Sequence, residues 1–159
     1  MDEIEVPVRR LTFGALFREP YSHYLGWLYA RLQERGFPDI RVAHSAVVRT
    51  IDAEKGSRVT TLAERAGMTK QSMAYLVDSL VELDYLEIVP DPEDKRAKLA
   101  RLTRRGRKLM ATAGALGAEY EALLAGRIGV GEMAELRRLL TIVVDVLPGW
   151  TPGEGGEDK

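Results

Sequence analysis

Between Thr69 and Leu123 the spacing of apolar residues changes period twice, and no single type of secondary structure accommodates both periods. Met73, Leu76, Val77 and Leu80 stand at i, i+3, i+4 and i+7, the buried face of a helix that Thr69 caps and that runs to about Leu83. From Tyr85 to Val89, and again from Lys98 to Leu102, the period drops to two, which predicts a pair of strands. The connection Pro90-Asp91-Pro92-Glu93-Asp94-Lys95-Arg96-Ala97 is long and charged, and its two prolines continue neither strand. Helical spacing then returns. Thr103 is the expected cap, and Leu109, Ala113, Leu116, Tyr120 and Leu123 recur at 4, 3, 4 and 3, a coiled-coil-like seam.

The flanking segments read as further helices. Tyr21, Leu25, Leu28 and Leu32 define one that Gly36 and Pro38 close, with Pro7 and Pro20 expected to confine helix before Tyr21 to a short stretch. A second is expected from about Val42 to Glu54, with Ala46, Val47 and Ile51 inward and Lys55-Gly56-Ser57 as breaker. Thr61-Leu62-Ala63-Glu64 matches a capping box at the start of a short helix that stops at Gly67. Gly126 to Gly131 interrupts the seam. A last helix then carries Leu136, Leu139, Leu140, Val143 and Leu147 on one face before Pro148-Gly149. The polar, Gly-rich tail is expected to be flexible.

Helix, glycine turn, helix and a two-stranded hairpin in that order describe a winged helix-turn-helix. The expected fold is mainly α with a small β-hairpin wing: a winged helix-turn-helix domain plus a helical dimerisation domain. The expected division is an N-terminal helical dimerisation segment (1–38), the winged domain (39–104), a C-terminal helical dimerisation segment (105–148) and the tail (149–159). The seams of the Tyr21, Leu109 and Leu136 helices hold more apolar surface than one small winged domain covers, so a two-fold homodimer is expected.

Charge distribution narrows the function. The chain has 159 residues and a net charge of −1, which by itself argues against a polyanionic partner. Yet residues 94–108 hold eight cations against Asp94 alone, a local +7 that leaves −8 for everything else. The absence of cysteine excludes disulfides, Cys-ligated zinc or iron–sulfur centres and thiol-based redox sensing. With only His23 and His44, a His-rich metal site within one chain is not expected, and no cofactor is expected. The opening Met1-Asp2-Glu3 is unlike a signal peptide, and the most apolar run, Leu139 to Leu147, is too short and polar to span a bilayer. A cytoplasmic location is expected. No phosphate loop, nucleophile elbow or metal-ligand cluster is present, so the chain is not expected to be an enzyme.

A DNA partner gives each part a task. The helix opened by Thr69 would enter the major groove by its first turns. There Gln71 suits adenine, Lys70 suits guanine or phosphate, Ala74 suits a thymine methyl, and Tyr75 suits a base edge or phosphate. Thr69 and Ser72 suit a phosphate. The wing residues Asp94, Lys95, Arg96 and Lys98 would carry Arg96 into the minor groove, with Asp94 steadying its guanidinium. Arg58, Thr60 and Arg101 are the expected contacts to the DNA backbone. Taken singly, a charged hairpin is an ordinary solvated loop and Lys70 and Gln71 ordinary exposed positions. Two alternatives remain: a winged-helix protein-interaction module without DNA binding, and a DNA-binding protein indifferent to ligands.

Leu76-Val77-Asp78-Ser79-Leu80, Tyr85-Leu86-Glu87, the wing run Asp91-Pro92-Glu93-Asp94-Lys95-Arg96-Ala97-Lys98 and the Leu102-Thr103-x-x-Gly106-x-x-Leu109 pattern together resemble the MarR family of bacterial transcriptional regulators. The resemblance implies a homodimer whose terminal helices entwine and whose two wings read a palindromic operator as a repressor, with Arg96 in the minor groove and Asp94 supporting it. It further implies a small aromatic effector bound between the dimer helices and the winged domain, for which Tyr24, Trp27, Leu28, Arg31, His44 and Arg49 are the candidates. Asp84 departs from the pattern, standing where the family often has Gly; Asp tolerates a left-handed backbone there.

Overall fold

The computed structural model describes residues 11–147. Pro7 and the tail 149–159 therefore lie outside the described residues. The chain divides into two compact units, Met1–Leu116 and Gly117–Lys159.

The first unit holds α1 (Phe13–Glu34), a single 3₁₀ turn (Val42–His44), α2 (Ser45–Thr50), α3 (Val59–Ala66), α4 (Lys70–Glu82), β1 (Leu86–Pro90) and β2 (Lys98–Leu102). It also holds the first half of α5 (Arg104–Ile128), and α6 (Val130–Val146) lies in the second unit. The fold is a mainly helical winged helix-turn-helix with one antiparallel hairpin, in which Leu86 pairs with Leu102 and Pro90 with Lys98. Leu62, Met73, Val77, Leu80, Val47 and Tyr85 are fully buried at its centre. Among the described residues no helix is long and apolar enough to cross a membrane.

The helix-turn-helix follows from its caps. α3 ends at Gly67, whose φ of 63° only glycine adopts freely, and the N–H groups of Gly67 and Met68 return to the carbonyls of Glu64 and Ala63. Thr69 then opens α4, its hydroxyl oxygen accepting the Ser72 N–H. The same closure ends α4: Asp84 takes φ 62°, and Asp84 and Tyr85 donate back to Val81 and Leu80.

Several boundaries differ from the sequence expectation. α1 begins at Phe13 and passes through Pro20 rather than starting at Tyr21. A proline withdraws only its own i→i−4 bond, here to Leu16, while the Thr12 cap and the edge-on Phe13–Phe17 pair hold the first turns. The helix expected over 42–54 is a 3₁₀ turn plus α2, ending at Thr50, because the Asp52 carboxylate captures the N–H groups of Glu54 and Lys55 in a turn. The expected capping box at Thr61 does not form. α3 starts at Val59 with Arg58 in the cap position, three residues before the expected cap, and Thr61 lies inside it. Ser57 exchanges both backbone bonds with Ala100, each 2.9 Å, so the chain turns into helix directly after that anchor. Tyr85 stands outside β1 because its N–H closes α4, and β1 extends to Pro90 instead. The glycine-rich break narrows to Gly129 alone, with α5 continuing through Gly126.

Thr103 caps α5 as expected, its hydroxyl oxygen accepting the Gly106 N–H at 3.0 Å. Gly106 sits flush against the backbone just before β1: a Cβ there would lie 2.1 Å from the Tyr85 carbonyl oxygen. In the second unit, Arg137 of α6 pairs with Glu121 of α5. Its apolar side chains stay largely exposed, among them Leu136, Leu139, Leu140, Val144 and Leu147. Leu123 of the seam is exposed as well.

Candidate nucleic-acid interface

The outward face of α4 is polar over its first turns. Lys70, Gln71, Ser72 and Tyr75 are exposed and Ala74 is half-buried, while Met73, Leu76 and Val77 anchor the opposite face in the core. Tyr75 is 75% exposed. The Thr69 hydroxyl donates to Ser72 Oγ at 2.9 Å, so the two cap residues also hold each other.

The wing lies 20 or so residues further on, at the tip of the β1–β2 hairpin. The Asp91 N–H donates to the Ala97 carbonyl at 3.0 Å and the Ala97 N–H to the Asp94 carbonyl at 2.8 Å, closing the tip into a compact turn. Lys95, Arg96 and Lys98 are exposed on it and form no ion pair among the described residues. Asp94 does steady Arg96, but through the backbone: its Oδ1 accepts the Arg96 N–H at 3.0 Å, and the guanidinium is not its partner. Asp94 Oδ2 instead faces Arg58 Nη2 at 3.6 Å.

Of the three expected backbone contacts, Thr60 is exposed and both arginines are engaged within the fold. Arg58 donates from Nε to Asp91 Oδ2 at 2.7 Å, and its Nη2 lies 2.5 Å from the same oxygen. Hydrogen bonds from the Glu93 N–H and from Arg58 hold the Asp91 carboxyl below its ordinary range. Arg101 reaches Glu87, its cross-strand neighbour, at 3.0 Å with both side chains near half-exposed.

Two further cations of the basic segment have partners within the chain. Arg107 donates to the Leu102 carbonyl at 2.7 Å. Arg105 contacts both Asp39 oxygens and stacks over the Tyr85 ring, 4.5 Å from its centroid. Tyr85 donates its hydroxyl to Asp39, and burial together with that bond pushes its pKa up to about 12. Burial works against ionisation of Asp39, yet the Tyr85 hydroxyl and Arg105 keep its carboxyl below the usual range. Nothing in the residue types alone marked this cluster, which joins positions 39, 85 and 105.

The six effector candidates differ in exposure and in partners. Leu28 is packed in the core and Arg49 is exposed. Trp27 and Arg31 stack on α1, 5.9 Å apart, and Tyr24 is half-buried on the same helix. His44 is buried with both ring nitrogens occupied: Nδ1 accepts the Arg41 N–H at 3.1 Å, which leaves Nε2–H to donate to Ser79 Oγ at 3.2 Å. Burial lowers its pKa, reinforced by Arg41 and opposed by Asp39. An open groove of about 560 Å³ lies elsewhere, between α2 and α4, with Val42, Ala46, Met68, Gln71 and Tyr75 in its lining.

Comparison with known proteins agrees with this geometry. A model described as MarR family matches residues 39–97, from the 3₁₀ turn to the wing. The transcriptional regulator HosA of Escherichia coli O111:H- is 31% identical over 129 residues, which cover 81% of this chain and 90% of that protein. The chain belongs to the MarR family. Among solved MarR-family structures of the same fold, apo wild-type MarR from E. coli aligns with a TM-score of 0.67 at 23% identity, over 85% of this chain and 98% of that one. The transcriptional repressor CouR, solved bound to a 23-mer DNA duplex, aligns with a TM-score of 0.65 at 20% identity, over 84% of this chain and 92% of that one. As a MarR-family member, this chain is a transcriptional regulator.

Proposed function

We propose that this MarR-family regulator is a repressor that binds a palindromic DNA operator as a homodimer. The observation that carries the reading is the outward face of α4, whose polar first turns stand exposed, together with wing cations that form no ion pair among the described residues. Lys70, Gln71, Ala74 and Tyr75 read the major groove, Thr69, Ser72 and Thr60 meet phosphates, and Arg96, flanked by Lys95 and Lys98, enters the minor groove. Arg101 exchanges Glu87 for a phosphate at little cost, because an exposed pair contributes little.

Segments 1–38 and 105–148 serve dimerisation in this reading, and 39–104 serves DNA. Supporting it, Phe13, Leu16, Phe17 and Tyr21 of α1 and the apolar row of α6 are exposed in the single chain, far more apolar surface than isolated residues would explain. A small aromatic effector releasing the DNA is part of the proposal, with Tyr24, Trp27, Arg31 and Arg49 as its contacts.

The test is selection of genomic DNA fragments by the purified protein, followed by footprinting and salt titration. The expected site is an inverted repeat with half-sites about one helical turn apart, bound with nanomolar-range affinity. With about four phosphates neutralised per protomer, log K against log salt should fall with a slope near −7. A footprint without two-fold symmetry would refute the dimeric reading, and a slope near zero would refute the DNA mode itself.

A further inference from the structure

The wing carries an unexpected sign of charge. Asp91, Glu93 and Asp94 precede Lys95, Arg96 and Lys98 on the surface proposed to meet DNA, and carboxylates there oppose a polyanion. Their geometry supplies a reason. The Asp91 side chain is only 7% exposed, and its two oxygens are divided between Arg58, on Oδ2, and the Glu93 N–H, on Oδ1 at 2.9 Å. Asp94 is divided likewise, with Oδ2 towards Arg58 and Oδ1 on the Arg96 N–H. Arg58 in turn follows Ser57, which is fixed to Ala100 of β2 by two backbone bonds. One guanidinium thus ties the start of α3 to two of the three wing carboxylates, Asp91 and Asp94, and Asp94 holds the backbone of Arg96.

We propose that Arg58 is a positioning residue, which brackets the wing through Asp91 and Asp94 so that Arg96 is presented to DNA, rather than a phosphate contact. The inference rests on the minor-groove role of Arg96 proposed above. A phosphate could take Arg58 only by leaving the nearly buried Asp91 carboxylate without its cation, an unfavourable exchange. The planar span of the guanidinium matters as well: Nε donates to Asp91 while Nη2 faces both Asp91 and Asp94, a reach across two carboxylates that a compact lysine ammonium does not match.

The experiment measures affinity for the tightest DNA fragment recovered by selection, using full-length protein carrying Arg58→Lys, Asp91→Asn, Arg96→Ala, or the last two combined. Arg58→Lys and Asp91→Asn should each weaken binding about five- to tenfold, although Asp91→Asn removes a negative charge. Neither should flatten the salt slope by the roughly one unit that loss of a phosphate contact produces. In the Arg96→Ala background, Asp91→Asn should change affinity by less than about twofold. Tighter or unchanged binding by Asp91→Asn, wild-type binding by Arg58→Lys, or an equal loss in both backgrounds, as a general folding defect would give, overturns the bracket. If Arg96→Ala itself binds like wild type, the minor-groove reading fails and the bracket with it; if Arg96→Ala is weak while Asp91→Asn is intact, only the bracket fails.

Discussion

Replacing Gly106 by alanine tests the close contact between α5 and the wing. Gly106 is an ordinary helical position by its backbone, so helix propensity alone predicts that alanine stabilises the protein by about 1 kcal/mol. Packing predicts the opposite. The added Cβ would stand 2.1 Å from the Tyr85 carbonyl oxygen and 3.0 Å from Leu102 Cδ2, and ordinary contact requires α5 and the Tyr85 backbone to part by about 1.3 Å. That carbonyl accepts the Thr103 N–H at 3.1 Å and the longer branch of the Thr103 hydroxyl at 3.2 Å, whose shorter branch goes to the Asp84 carbonyl at 2.6 Å, and such a displacement disrupts this arrangement. Two hydrogen bonds at about 1 kcal/mol each and overpacking of about 1–3 kcal/mol, offset by the propensity gain, leave a net loss of about 2–4 kcal/mol. With a urea m-value near 2 kcal/mol/M, the unfolding midpoint followed by circular dichroism at one protein concentration should fall by about 1–2 M. Gly114→Ala, in the same helix with nothing within 4 Å of its Cβ, is the control and should raise the midpoint slightly. A midpoint for Gly106→Ala equal to or above wild type would refute the packing argument.

Three further outcomes are expected. Asp84→Gly removes the strain of a left-handed non-glycine residue and should stabilise the fold by about 0.5–1 kcal/mol, read from the same urea transition; a loss would show that the Asp84 side chain contributes something the geometry does not reveal. His44 has a folded pKa below its unfolded value, so its contribution is complete above pH 6.5 and is lost as pH falls from there through the folded pKa. Between pH 7 and 5.5, His44→Gln should therefore show a shallower decline in stability than wild type, and parallel curves would remove His44 from the linkage. Gln71→Ala should relax base preference at one operator position by about 1–3 kcal/mol while leaving the salt slope unchanged, as competition binding with single-base variants would reveal.

What could be read in advance follows the range of the interactions concerned. α4 was legible from Thr69 to Leu83 because its cap, its four buried residues and its stop all act within a turn or two of one another. The left-handed backbone at Asp84 was expected only from the family resemblance, which often has Gly there, although physically it is the local end of that helix. The start of α3 was not, since the Ser57–Ala100 pairing that sets it joins positions 43 residues apart, and a good capping box at Thr61 could not compete with it. Pro20 misled in the opposite direction: a local penalty, real at that residue, was outweighed by helix on both sides.

The site divides along the same line. Residue types and order pointed to α4 and the wing, but a count of charges cannot tell a cation that faces outward from one that holds the fold. Of the eight in the +7 segment, Arg101, Arg105 and Arg107 have partners within the chain, and Arg58, expected outside, is held by Asp91. The segment is therefore not a uniform positive surface: three arginines have partners within the chain, and the other five cations, Arg96 among them, are exposed. If so, neutralising Arg105 should damage the fold and neutralising Arg96 should damage binding alone. That difference is invisible to net charge, because each substitution removes one positive charge from the same fifteen residues.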